Sequence, residues 1–279
     1  MKKQKTVSIK AKLLGVIIPV VIAIVVVLVV AAYQISAGTI KKYSQNLLQS
    51  SVENQASQIE AWLNENLASF QMAKTIIEDL KPSDEELKTI LDGYYGYNSN
   101  YPEGLYVADS TGQLITASES TKKESDVTNS TWYKEGLTRV NMAVGSAYQN
   151  ADGVNVISAS GILNDGSDKV RVISADMTLD RIAIIVNSFI EMNDAEAFLV
   201  DKTSGVILAN RDSSLISQTL GAEGQSHFYQ LTAEKAAEKD YNFATLDGNM
   251  TVFQEVDGTN WLLISYIPTS IVLSDLTQL

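Results

Sequence analysis

The residue types that usually carry catalysis are nearly missing from this chain. There is no cysteine and a single histidine, His227. A disulfide framework, a thiolate metal site, a zinc site and a histidine-based triad are therefore excluded. His227 has no partner of suitable type near it in sequence and reads as a surface helix residue. No glycine loop has either spacing that cradles phosphate. Carboxylates abound, 33 Asp+Glu against 21 Lys+Arg, so no pair stands out as the acid and base of a glycosidase. Asn129-Ser130-Thr131 and Asn249-Met250-Thr251 match the glycosylation pattern, a weak match that has no meaning if the source is bacterial. The reading is a chain with no catalytic residue, no metal and no cofactor: not an enzyme, but a protein that binds.

What must position a binding site begins with the stretch 13–33, LLGVIIPVVIAIVVVLVVAAY, which carries no charge. At about 1.5 Å per residue it makes a helix of roughly 30 Å, the thickness of a bilayer's hydrocarbon core. Pro19 is tolerated there, because neighbouring groups can satisfy the freed carbonyl. Residues 1–12 hold Lys2, Lys3, Lys5, Lys10 and Lys12 with no acid, which sets the tail in the cytoplasm and sends the bulk of the chain outside the cell membrane. A cleaved signal peptide has a shorter apolar run and an A-x-A-like end, and Ala31-Ala32-Tyr33 is a poor one. Five of the 21 Lys+Arg lie in the tail, leaving 16 against 33 Asp+Glu beyond it. So acidic an exported portion argues against nucleic acid and anionic headgroups as partners.

Residues 34–80 contain no proline and one glycine, Gly38. Ile59, Leu63, Leu67, Phe70, Ala73, Ile77 and Leu80 recur at helical steps, which predicts a long stalk helix. Its upper half packs on a globular body. Its lower half, more polar, is expected to pair with a second copy and so make a homodimer. Pro82 ends the helix, and Ser83-Asp84-Glu85-Glu86 is a capping box opening a short second one. From there strands dominate: a hairpin over 105–117, a helix over 132–140 capped by Ser130 or Thr131, a second hairpin over 146–160 and a strand over 169–177. A connecting helix over 182–189 follows, and then the order repeats. AEAFLVDKTSGVILAN from Ala195 echoes EGLYVADSTGQLITAS from Glu103. A helix over 227–238 and three strands ending at 260–267 complete the second half. The fold class is α+β, with two tandem antiparallel-sheet modules, 81–186 and 187–274, behind the membrane and stalk helices.

A span, a long helix and two strand–helix–strand modules together resemble the extracytoplasmic double Cache sensor, a pair of PAS-like modules found in bacterial chemotaxis receptors, sensor kinases and cyclases. The resemblance rests on Gly104-Leu105-Tyr106-Val107-Ala108-Asp109 with Gly112, Asp126-Val127 before Trp132-Tyr133-Lys134, Ser146-Ala147-Tyr148, Ser174-Ala175-Asp176-Met177-Thr178-Leu179 and Asn260-Trp261-Leu262-Leu263 before Pro268. It implies a ligand in the membrane-distal module. Amino-acid-binding members take the carboxylate with an Arg two residues before the Trp-Tyr pair and the ammonium with an Asp on the later strand. Trp132, Tyr133, Tyr148 and Asp176 match. Ser130 stands in the arginine position, and Asn150 where an Asp is common.

The implied site is thus Trp132, Tyr133, Tyr148, Asp176, Asn150, Tyr106 and Ser130, with the ammonium half kept and the carboxylate half lacking its cation. The chemistry of these residues agrees. An Asp among aromatic rings holds a desolvated cation through charge-assisted hydrogen bonds and attraction to the ring faces. The expected ligand is a small amine or amino-acid-like metabolite, any acid group of which is held by N–H groups at the start of the Trp132 helix or by Lys134. Asp176→Asn is expected to abolish binding and leave the melting temperature of the ligand-free protein nearly intact. The expected function is the sensing portion of a chemoreceptor. Alternatives are the input of a histidine kinase or diguanylate cyclase, or a membrane-anchored scaffold, which the chain's stop at Leu279, where a return span would start, favours.

Overall fold

The computed structural model describes residues 9–150, 153–188, 192 and 194–274. One helix, α1 (Ile9–Leu80), runs through span and stalk without a break, Pro19 included. Its 72 residues make a rod of about 108 Å. The apolar side chains from Leu13 to Tyr33 lie exposed. This part is long and apolar enough to cross a membrane, with a mean hydropathy of 3.5. Lys81, in the left-handed region at φ 48°, closes the helix and donates its N–H to the carbonyl of Ile77. Pro82 follows, and the capping box of α2 (Asp84–Asp92) forms as expected: Ser83 Oγ accepts from the Glu86 N–H and Glu86 Oε2 accepts from the Ser83 N–H.

Two five-stranded antiparallel sheets come next. The distal one joins β1 (Leu105–Asp109), β2 (Leu114–Ile115), β3 (Ala143–Gln149), β4 (Asn155–Leu163) and β5 (Arg171–Thr178) in the order β2-β1-β5-β4-β3. The proximal one joins β6 (Glu196–Asp201), β7 (Ile207–Asn210), β8 (Ala244–Leu246), β9 (Asn249–Val256) and β10 (Trp261–Pro268) in the order β7-β6-β10-β9-β8. The orders are the same with the numbers advanced by five, so the repeated order of elements in the sequence is a repeat of topology. A short α6 (Thr269–Val272) ends the described chain.

α1 lies across one face of both sheets. One continuous core joins Ile59, Leu63, Phe70 and Ile77 of the helix to Leu105, Val107, Ile173 and Ala175 of the distal sheet and to Leu199, Val252 and Leu263 of the proximal sheet. The opposite faces are covered by α3 (Thr131–Gly136) in the distal module and α5 (His227–Ala237) in the proximal one. Strand β1 is buried at all five positions because both of its faces are covered. α4 (Asp180–Val186) links the modules, and Gln55 of α1, itself buried, donates to the carbonyls of Ile185 and Ser188 at its end.

Three expectations shift. α3 stops at Gly136 instead of Val140, because Leu137 and Val140 find nothing to cover them and are exposed. Gly136 marks the contact that anchors the helix: a Cβ there would stand 2.3 Å from Val172 Cγ1. The connecting helix, expected over 182–189, runs from Asp180 to Val186 with Asn187 as its C-cap, and Phe189 itself lies outside the described residues. The lower stalk is only partly open to a partner: Leu48, Val52 and Ala56 are buried in the chain's own core and Leu47 packs against it, while Tyr43 is exposed. His227 is exposed at the first turn of α5, as expected.

Candidate ligand-binding site

Side chains alternate along β5, so the strand serves two surfaces. Ile173, Ala175 and Met177 join the α1 core, while Val172 and Asp176 take the face toward α3. On that face β1 contributes Tyr106 and β4 contributes Ser158, which stands directly opposite Asp176 in the ladder. Three hydroxyls converge on one oxygen of the Asp176 carboxylate, which is 8% exposed. Tyr106 Oη lies 2.5 Å from Oδ1, Ser158 Oγ 2.5 Å and Tyr148 Oη 3.0 Å. Burial first, and then the Asp176 charge, push the Tyr106 and Tyr148 phenols well above their ordinary value. They stay protonated and go on donating.

The second oxygen, Oδ2, faces an ammonium. Lys122 Nζ is 2.6 Å away, with both side chains 9% exposed. The same nitrogen sits 4.2 Å above the centroid of the Tyr106 ring. Carboxylate and ring face thus hold a desolvated cation in the manner expected of Asp176, and the cation is the chain's own. Trp132 is wholly buried behind this pair. Its ring stands edge-on to Tyr106 at 4.9 Å and to Tyr133 at 5.8 Å, and its Nε1 donates to Glu124 at 2.9 Å. That bond ties the loop carrying Lys122 to α3.

Beside the pair opens a cleft of about 380 Å³, bounded by Lys122, Lys123, Ser130, Tyr148, Gln149 and Asn150 among others. Of the sequence-derived residues, Tyr106, Tyr148, Asp176 and Trp132 form one connected group. Ser130 and Asn150 line the cleft. Ser130 Oγ donates to the Val127 carbonyl, and Asn150 Oδ1 accepts from the Val154 N–H of its own hairpin turn. Tyr133 is buried against Trp132 and does not reach the cleft. Lys134 is exposed and outside it, so the acid-binding role foreseen for that lysine has no geometry here. At the helix start, Ser130 and Thr131 line the cleft while Trp132 is sealed from it, and α3 is only six residues long.

Sequence reasoning missed Lys122, Glu124 and Ser158. Ser158 was accessible from strand pairing, as the residue facing Asp176 across the ladder. Lys122 and Glu124 lie in a polar loop with no periodicity, and nothing local distinguishes Lys122 from Lys123.

The proximal module answers the same position differently. Asp109 pairs with Arg171 in the distal sheet and Asp201 with Trp261 in the proximal one, which places Tyr266 where Asp176 stands and Phe198 where Tyr106 stands. Ser226-His227-Phe228-Tyr229 repeats the place of Ser130-Thr131-Trp132-Tyr133. Phe228 meets Tyr266 at 4.5 Å and Tyr229 meets Phe198 at 5.1 Å, so packed rings fill the space. The Tyr266 hydroxyl donates to the Glu196 carboxylate at 2.6 Å.

A family model described as the Cache domain matches residues 32–276. No curated protein sequence matches the chain. Solved structures similar to it include the ligand-binding domain of Mlp24 with asparagine, 17% identical, covering 86% of this chain and 98% of that one with a TM-score of 0.69. The ligand-binding domain of the Pseudomonas fluorescens chemoreceptor CtaA in complex with L-isoleucine is 20% identical, with coverage of 86% and 98% and a TM-score of 0.67. That of the Pseudomonas aeruginosa PAO1 amino acid chemoreceptor PctC in complex with GABA is 19% identical, with coverage of 80% and 99% and a TM-score of 0.61.

Proposed function

We propose a function that proceeds from one premise: the chain belongs to the Cache domain family. It is the extracytoplasmic sensing portion of a bacterial transmembrane receptor, anchored by residues 13–33. It binds a small amine-bearing or amino-acid-like metabolite in the distal module. The observation that carries this reading is the buried Asp176 carboxylate, fixed by three hydroxyls on one oxygen and facing an ammonium with the other. The similar structures with asparagine, L-isoleucine and GABA support the ligand class. α1 touches both modules and continues into the span, so closure of the distal cleft has a stiff element through which to report. The ligand needs only a differential affinity for two positions of that element.

The test is a thermal-shift screen of the full chain in lipid nanodiscs against amines, amino acids and small acids. A ligand at 100 times its Kd adds about 2.7 kcal/mol to the stability of the state it binds. A clear rise in melting temperature with at least one amine-bearing compound is expected. If only compounds without an amine produce a shift, the assignment of Asp176 is wrong.

We also propose that two copies meet beside the membrane. Tyr43 projects from the stalk, 68% exposed, while Leu47 one turn later is packed against the chain's own core. Since the chain has no cysteine, single-cysteine crosslinking is clean. Tyr43→Cys in membranes should give a covalent dimer and Leu47→Cys should not. Monomer alone from Tyr43→Cys and its helical neighbours would count against the dimer.

A further inference from the structure

We infer that Lys122 determines specificity: the ligand enters by splitting the Lys122–Asp176 ion pair, placing its own ammonium on Asp176 and its own carboxylate on Lys122. The inference rests on the proposed role of Asp176 and narrows the ligand to zwitterions.

The argument is a count of buried charges. Lys122 Nζ makes both contacts a bound ammonium would make, one with Asp176 Oδ2 at 2.6 Å and one with the Tyr106 ring at 4.2 Å. A simple amine that displaces it exchanges one such pair for another and leaves the lysine without its carboxylate, so nothing is gained. A zwitterion replaces one pair with two. Ser130 offers no cation, Lys134 lies outside the cleft, and Lys123 is exposed on its rim. Lys122 is the cation that is already desolvated and already beside the subsite. Glu124 does not compete for it, being committed to Trp132 Nε1. Because Lys122 sits on the loop before α3 and not in a strand, it can withdraw by a side-chain length while the sheet stays fixed.

The test uses the full chain in nanodiscs and matched probe pairs that differ by one carboxylate: L-serine and ethanolamine, L-alanine and ethylamine, L-isoleucine and 2-methylbutylamine, γ-aminobutyrate and n-propylamine. Wild type should bind the acid member of at least one pair and ignore its amine. Lys122→Met, similar in length and uncharged, should lose affinity for the acid member on the order of a hundredfold and gain measurable affinity for the amine, whose subsite is then vacant. Lys122→Arg, which keeps the charge, should keep the preference for the acid member and serves as the folding control. Tighter acid binding by Lys122→Met would show that the lysine is only a plug and would overturn the inference. So would unchanged binding, or a wild type that takes no member of any pair or takes both members equally. Asp176→Asn separates this from the broader reading: if it binds the probes as wild type does, the cation subsite itself is misplaced. If it loses them while Lys122→Met does not, only the role of Lys122 falls.

Discussion

Asp176→Asn is expected to destabilise the ligand-free chain by about 3 kcal/mol, the lower end of what removing one partner of a buried ion pair costs. The amide cannot neutralise Lys122, whose side chain is 9% exposed, and one oxygen's three hydroxyl donors lose their charged acceptor. The loss stays at the lower end because Lys122 is on a loop and can reach water. This revises the expectation drawn from sequence that the substitution would leave the melting temperature alone. That expectation treated Asp176 as an empty receptor for a ligand, whereas the structure gives it an internal partner in Lys122. Lys122→Met in the same background should recover much of the loss, since an uncharged pair has no buried charge to strand. Equilibrium denaturation of the two single variants and the double gives the coupling energy directly. A coupling near zero would mean that the pair is not formed in the ligand-free protein.

Trp132→Ala should cost about 3–5 kcal/mol, the usual range for removing a wholly buried aromatic. Trp132 stands edge-on to both Tyr106 and Tyr133 and holds Glu124, so its removal opens a cavity behind the site and frees the loop bearing Lys122. Trp132→Phe should cost far less, because the proximal module packs a phenylalanine, Phe228, at the equivalent place. Phenylalanine cannot donate to Glu124, so this variant separates packing from loop anchoring. Thermal denaturation of the pair decides the matter. Equal losses would put the weight on the Nε1 bond instead of the ring.

The architecture was largely legible because its signals are periodic or local. Steps of three and four from Ile59 to Ile77 name the helix face that the core now covers, and Ser83 with Glu86 forms the cap that their spacing requires. The echo of Glu103–Ser118 in Ala195–Asn210 carried the duplicated sheet order. What was not legible depends on distance in space. The lower stalk looked available to a second chain because the core that covers Leu47 and Leu48 is completed only some two hundred residues later. Tyr133 passed as a site residue beside Trp132, but adjacent positions on a helix face different ways, and only packing could say that neither ring opens to the cleft. Lys122 was invisible for the same reason: a lysine in a polar loop is ordinarily solvated, and only the fold brings this one to a buried carboxylate.

The central claim is that Asp176 holds the ammonium of the ligand. Isothermal titration of the most stabilising compound from the screen, into wild type and Asp176→Asn, tests it most directly. Loss of a charge-assisted bond to a desolvated cation is worth several kcal/mol, so the variant should bind roughly a thousandfold more weakly or not detectably. An Asp176→Asn protein that is folded and titrates with the wild-type Kd would contradict the account.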